Sequence, residues 1–267
     1  MAGAAELMVE GEPAAIEDLQ YLALVNYGAY TSMRIEDGGV RGLDLHLARL
    51  DASAVELFGE AVGEARLRER MRGAVADRGA GWLRVSLFSP EVGARAPGWR
   101  GRPRVMTVVT PPPPPLAETL RLDVQTYGRE APHLKHTANF GLIRARRSAR
   151  DAGFDDALFV DAQGRVSEGS LWNIGFLSGD SVTWPLAPML TGVAQALIQH
   201  GLAGVGLTGR GAPVRLSDLD RFDGAFVCNS ATPACAVSAI GQHTLATRPE
   251  LIARLRVAWA SNPIQSI

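Results

Sequence analysis

The chain is short of lysine. Of its 267 residues, 27 are basic, and Lys135 is the only one of them that is not arginine. It is equally short of other signals. Two cysteines, Cys228 and Cys235, cannot make a disulfide framework, and no CxxC pair suggests zinc, so no metal site is expected. No apolar run reaches the roughly 18–20 residues that a membrane span needs. The first residues are acidic and lack the basic-then-apolar order of a signal peptide. Acidic residues number 28 and the formal net charge is -1, a balance that argues against a nucleic-acid groove or a polybasic membrane surface. What remains is a soluble, cytoplasmic globular protein, its 46% apolar residues sufficient for a substantial core.

The lone lysine admits two readings. Codon bias toward arginine leaves a stray lysine that means nothing. The alternative is chemical: arginine replaces lysine wherever a surface cation is wanted, but not where a deprotonated primary amine must attack a carbonyl, because the guanidinium stays protonated. The surrounding sequence has to decide.

Five consecutive prolines, Pro111–Pro115, read as a semi-rigid connector. They suggest a small α/β domain over 1–112 and a larger one over 113–267. In the first, Ala29–Leu43 reads as a hairpin turning at Asp37-Gly38. Leu43–Gly59 reads as an amphipathic helix, Glu64–Gly79 as a charged helix, and Gly81–Ser89 and Arg102–Thr110 as strands. In the second, Leu120–Gly128 is a strand and His136–Gly153 a helix. Four short strands over Asp155–Pro185 precede a helix over Val193–Gly204. Strands at Phe222–Ser230 and Ala236–Gly241 and a helix over Pro249–Asn262 complete an α+β chain.

Four features of the second part belong together chemically: Lys135 in PHLKHTANFG, Glu168 in VSEGSLWNI, Thr191-Gly192-Val193-Ala194 opening a helix, and the small-residue turn Ser230-Ala231-Thr232. Pyridoxal 5'-phosphate (PLP) needs an amine for a Schiff base, an acid near its pyridine nitrogen and an anion cradle for its phosphate. Lys135 is the sole amine, Glu168 a candidate acid, and the helix start offers backbone N–H groups. The turn offers further donors, and an arginine of the first part would complete the cradle.

With these residues in view, the chain resembles the class IV, fold-type IV PLP-dependent aminotransferases. That family includes branched-chain and D-amino acid aminotransferases and aminodeoxychorismate lyases. The resemblance rests on GLDLHLARL, LKHTANFG, DDALFVDAQGRVSEGSLWNI and MLTGV. It implies a small N-terminal α/β domain and a larger C-terminal pseudobarrel domain, assembled as a homodimer. It implies that Lys135 is the catalytic Schiff-base lysine, that Glu168 pairs with the pyridine nitrogen, and that Arg49 binds the phosphate. Thr191, Gly192, Val193 and Ala194 match the first phosphate loop, and Ser230, Ala231 and Thr232 the second. Tyr30 matches an aromatic of the substrate pocket, and Asn173 implies a supporting role.

Departures from the family pattern bear on the substrate. Ala194 and Gln195 stand where Thr and Arg are frequent, Asn139-Phe140 where the branched-chain branch has Asn-Tyr, and Asn26-Tyr27-Gly28 where Gly-Asp-Gly is usual. The implied activity is transamination between a small-molecule amino donor and a keto acid. The runner-up is an aminodeoxychorismate lyase-like reaction releasing pyruvate and p-aminobenzoate, and a third reading is a PLP-fold protein that binds without turnover.

Overall fold

The structure, a computed structural model, describes residues 6–76, 78–114 and 117–267. Met1–Ala5, Asp77, Pro115 and Leu116 lie outside the described residues, and with them parts of the N-terminal reading, the Glu64–Gly79 helix and the proline run. The chain divides into two compact units. The first holds the described residues up to Pro113 together with Leu134–Ala138 and Pro263–Ile267, and the second holds Pro114–His133 and Asn139–Asn262.

The first unit contains β1 (Leu7–Val9), β2 (Glu12–Pro13), α1 (Ile16–Leu24), β3 (Ala29–Ile35), β4 (Gly39–Arg41), α2 (Leu43–Phe58), α3 (Glu64–Val75), β5 (Gly81–Phe88) and β6 (Arg104–Thr110). Five strands form an antiparallel sheet in the order β2-β1-β6-β5-β3, which leaves β3 as an edge. Alternation along the strands buries Met33, Ile35, Leu83, Val85, Val105 and Val109 on one face, against Leu43, Leu47, Leu50 and Phe58 of α2 and Leu67 and Met71 of α3. The predicted hairpin turns with Asp37 and Gly38 both at positive φ, as a two-residue Asp-Gly turn requires. Beyond it, β4 pairs with the C-terminal strand Ile264–Ser266. The leucine-spaced helix ends at Phe58, with Gly59 left-handed behind it.

The second unit is built on β7 (Thr119–Thr126), α4 (Phe140–Asp151), β8 (Asp156–Val160), β9 (Val166–Gly169), β10 (Asn173–Ser178), β11 (Ser181–Pro185), α5 (Val193–Gly201), β12 (Thr208–Ala212), β13 (Gly224–Cys228), β14 (Cys235–Ile240), β15 (His243–Thr244) and α6 (Pro249–Ala260). Its curled nine-stranded mixed sheet runs β12-β11-β10-β13-β14-β7-β8-β9, with β15 on β14. Both faces are covered, so the central strands read as continuous apolar runs. On β13, Ala225 and Val227 join one core with Leu122, Leu158, Val166 and Trp172, while Phe226 and Cys228 join the other with Ile198, Leu251 and Leu255 of α5 and α6.

The predicted helix at His136 starts later, at Phe140. Residues Lys135–Thr137 are extended because the free edge of β3 takes their backbone groups. Tyr30 N–H donates to Lys135 O (2.8 Å), Thr137 N–H donates to Gly28 O (2.9 Å), and His136 bridges Ala29. Beyond the short strands β1, β2 and β15, three elements gave no sequence signal. Helix α1 buries only Asp18, paired with Arg104, and exposes Ile16, Leu19 and Leu24, the reverse of an amphipathic pattern. Strand β12 reads TGRGA, and the C-terminal strand has three residues.

Asp156 holds the loop between β9 and β10. Its buried carboxylate accepts from Trp172 Nε1 (2.7 Å), from the Ser170 hydroxyl and from the Ala157 N–H (2.8 Å). Asp156→Ala strands those buried donors, and its expected cost is on the order of 3 kcal/mol. Urea denaturation checks this, and a loss near zero would show the network to be dispensable.

Candidate active site

In the first unit, the expected residues gather around β3. Lys135, held by its carbonyl to Tyr30, places Nζ 4.9 Å from the centroid of the Tyr30 ring. Arg84 of β5 lies over the same ring, with Cζ 3.7 Å from the centroid, and its Nε donates to Ser86 Oγ at 3.3 Å. The register explains this: Tyr30 pairs with Ser86 and Ser32 with Arg84, so Tyr30, Arg84 and Ser86 share the face opposite the core. Burial lowers the Arg84 guanidinium from its ordinary range, with Tyr30 opposing that shift. A half-desolvated guanidinium of this kind favours an anionic partner such as a carboxylate. Sequence reading missed Arg84, because Trp82-Leu83-Arg84 reads only as a strand with one polar residue. Its signal was a charge at an alternate position of a strand otherwise apolar.

Arg49 and His46 lie one turn apart on α2. Arg49 is half-buried. His46 is buried, and its Nδ1 is 2.5 Å from the hydroxyl of Thr31, itself buried on β3. Burial, with the charges of Arg49 and Lys135 added, pushes the imidazole down to about 3. His46 is therefore a neutral ring between a helix and the strand that carries Tyr30.

In the second unit, Val166 and Glu168 are two residues apart on β9 and share its buried face, with Glu168 5% exposed. Arg129 Nη1 lies 3.3 Å from Glu168 Oε1, and both side chains are almost fully buried. A guanidinium at that distance favours the ionised carboxylate.

Helix α5 opens at Gly192 without a side-chain cap. The first N–H groups of this nine-residue helix thus present the partial positive charge that an anion recognises. Beside them, Gln195 Oε1 is buried without a hydrogen-bond partner among the described residues. A Cβ on Gly192 would overlap Asn173 Oδ1. An uncapped helix start and a position where only glycine fits make a cradle suited to a phosphate; the orphaned Gln195 oxygen, an acceptor, takes no part in it. In the second turn, the Ala231 and Thr232 N–H groups donate to Asn229 Oδ1 at 2.9 and 2.8 Å, so the turn is closed on its own asparagine. Phe140 is exposed at the start of α4.

A model of the amino-transferase class IV family matches residues 28–240. The chain belongs to the class IV aminotransferase family. Among curated members it is 28% identical over 99 residues to a probable branched-chain-amino-acid aminotransferase of Rickettsia felis, covering 36% of this chain and 34% of that protein. It is 25% identical over 135 residues to a protein of the same name from Rickettsia bellii, covering 48% and 47%. The matched stretches thus span about a third to a half of those relatives. Solved structures are similar across nearly the whole chain. The branched-chain amino acid aminotransferase from Escherichia coli shares 16% identity at a TM-score of 0.79, covering 96% of this chain and 92% of that one. A hypothetical aminotransferase from Mycobacterium tuberculosis, in its PLP-bound form, shares 20% at 0.76, covering 96% and 98%. A putative 4-amino-4-deoxychorismate lyase from Legionella pneumophila shares 18% at 0.80, covering 94% and 96%. At these identities the likeness is one of fold.

His46 generates a prediction whose sign follows from its shift. The imidazole is held near 3 in the fold against 6.5 in the unfolded chain. Its contribution to stability is therefore full above about pH 6.5 and is lost as pH falls toward 3, by up to about 1.4 kcal/mol per pH unit. Urea denaturation at pH 7.5 and 4.5 is expected to show that wild type loses about 3 kcal/mol more than His46→Gln. Equal losses in the two proteins would contradict a buried neutral imidazole.

Proposed function

We propose that this protein is a PLP-dependent aminotransferase that moves an amino group from an amino acid or related amine to a keto acid. The observation that carries the reading is the placement of the one lysine. It lies in an extended segment bound to the edge of β3, its amine beside Tyr30. The PLP-bound form of the Mycobacterium tuberculosis protein supports the choice of cofactor, and the uncapped start of α5 supports a phosphate-bearing one.

In this reading Lys135 would hold the cofactor through its aldehyde and Glu168 would hold the ring nitrogen. The phosphate would be held by Arg49 and by the Thr191-Gly192-Val193-Ala194 segment, with Ser230, Ala231 and Thr232 as a second loop offering the Ser230 and Thr232 hydroxyls, since its Ala231 and Thr232 N–H groups go to Asn229. When bound, PLP supplies a conjugated ring that takes up the electron pair left at the substrate carbon. The chain supplies the rest. Lys135, as a neutral amine, would take the proton from the substrate Cα and give it up at the carbon that had carried the aldehyde, the shift that leaves the amino group behind. Arginine cannot take this part, because its guanidinium does not give up its proton. Tyr30 confines the amine beside its ring face. Arg84, over the same ring, is the partner for a substrate carboxylate, worth a charge-assisted bidentate contact. Glu168, paired with Arg129, would be the acid that holds the pyridine nitrogen.

Two free, buried cysteines fit a reducing cytoplasm. The homodimer implied by the family has a candidate face at the start of α4, where Phe140 and Ile143 are exposed.

The test has two parts. Wild type with PLP is expected to show a visible chromophore that borohydride reduces, and Lys135→Ala is expected to lose it; a chromophore retained by the variant would overturn the assignment, since no other lysine exists. A panel of amino donors is then expected to convert the visible band to that of the aminated cofactor. No conversion with any donor, together with pyruvate release from aminodeoxychorismate, would replace the transaminase reading by the lyase one.

A further inference from the structure

Asn173, the first residue of β10, is connected to both loops of the second unit's candidate site. Its backbone pairs with Cys228, the last residue of β13, directly before the Asn229–Thr232 turn. Its buried side chain reaches the other loop, where Nδ2 donates to Leu190 O at 2.7 Å. Its Oδ1 fills the space a Cβ on Gly192 would need. The second loop is tied back in the same region, since Asn229 Nδ2 donates to Leu171 O at 3.3 Å, two residues before Asn173.

Both halves of the Asn173 amide are therefore used on the residues that lead into α5. A helix start binds an anion through N–H groups fixed in direction before the anion arrives, so whatever fixes the preceding turn sets the affinity. The carboxamide of Asn173 is shaped for this double approach, its donor half to a carbonyl and its oxygen half to a glycine.

We propose that Asn173 is a positioning residue that locks the Leu190–Gly192 turn, and so pre-forms the α5 anion cradle for the cofactor's phosphate. The inference rests on the proposed cofactor. It adds that Asn173 acts on the phosphate end alone, and that Gly192 is glycine because of Asn173.

The test compares PLP with pyridoxal, which carries the same aldehyde and ring but no phosphate, binding of each to the full-length chain being read by the visible chromophore. Wild type is expected to bind PLP far more tightly than pyridoxal. Asn173→Ala is expected to weaken PLP about tenfold, the equivalent of one lost buried hydrogen bond, and to leave pyridoxal within about twofold. Asn173→Leu keeps the approximate side-chain volume and removes the donor without adding a charge, so the same selective loss is expected should the alanine variant fold poorly. Gly192→Ala is expected to abolish the preference for PLP in the wild-type background, yet to cost little more once Asn173 is alanine.

An equal fall for PLP and pyridoxal in both Asn173 variants would show a general structural role and overturn the inference. A PLP preference unchanged in both variants would overturn it too, with the cofactor reading intact. A wild-type protein that does not distinguish PLP from pyridoxal would instead bring down the α5 cradle itself, and the inference with it.

Discussion

The open edge of β3 is the constraint on which the first unit's chemistry depends. An edge strand carries backbone groups that need partners, and here Gly28 and Tyr30 supply an acceptor and a donor to Lys135–Thr137. The pairing accounts for three things at once. It keeps the segment after Leu134 out of the helix that follows, and it fixes the Lys135 backbone with sheet precision. It also brings Lys135 and Tyr30 together although they are 105 residues apart in sequence. Gly28 is part of the same device: a Cβ there would overlap Leu87 O, so the strands close up only around glycine. A reactive amine carried on a paired sheet edge is better positioned than one carried on a free loop.

The second unit solves a different problem with the same means. Its sheet is apolar on both faces, so every polar group brought inside must be matched. Asp156 gathers Trp172, Ser170 and a backbone N–H, Asn173 takes Leu190 and the space above Gly192, and Asn229 closes its own turn. These short side chains lose little conformational entropy when ordered, and each bond runs from a strand to the loop beside it. The loops between Glu168 and Asn173, and before α5, are consequently tied to strands rather than left to pack by themselves. Glu168 and its partner Arg129 lie 3.3 Å apart with both side chains nearly fully buried, the matching that a buried carboxylate needs.

Much of this was legible in the sequence because local chemistry and tertiary structure agree there. Leucine spacing in Leu43–Gly59, the Asp37-Gly38 turn and the alternation in β5 and β6 each state their own structure. The candidate cofactor residues were legible because their types are chemically restrictive: one amine, one acid in an apolar strand, one glycine before a helix. What stayed hidden depends on partners remote in the chain. Helix α1 is held by the pairing of Asp18 with Arg104, which no periodicity announces. Residues His136–Ala138 have no helix-breaking sequence, and only the free edge of β3 makes His136 extended. Arg84 became meaningful only when strand register placed it over Tyr30.

The scarcity of lysine can then be read physically. Arg84 and Lys135 stand over the same aromatic ring, and both side chains can carry a positive charge. If either position required only that charge, arginine would serve at both, as it does at the other basic sites of the chain. The two differ in what they can give up. A guanidinium offers a fixed planar fork and keeps its proton, which suits holding a carboxylate. An amine can give up its proton, which a guanidinium does not. His46 shows how the number of cations there is limited. A protonated imidazole would add another beside Arg49 and Lys135, and the fold avoids it by burying the ring against Thr31. Composition alone could show only that the amine was rare; the structure adds that it shares the Tyr30 ring with Arg84.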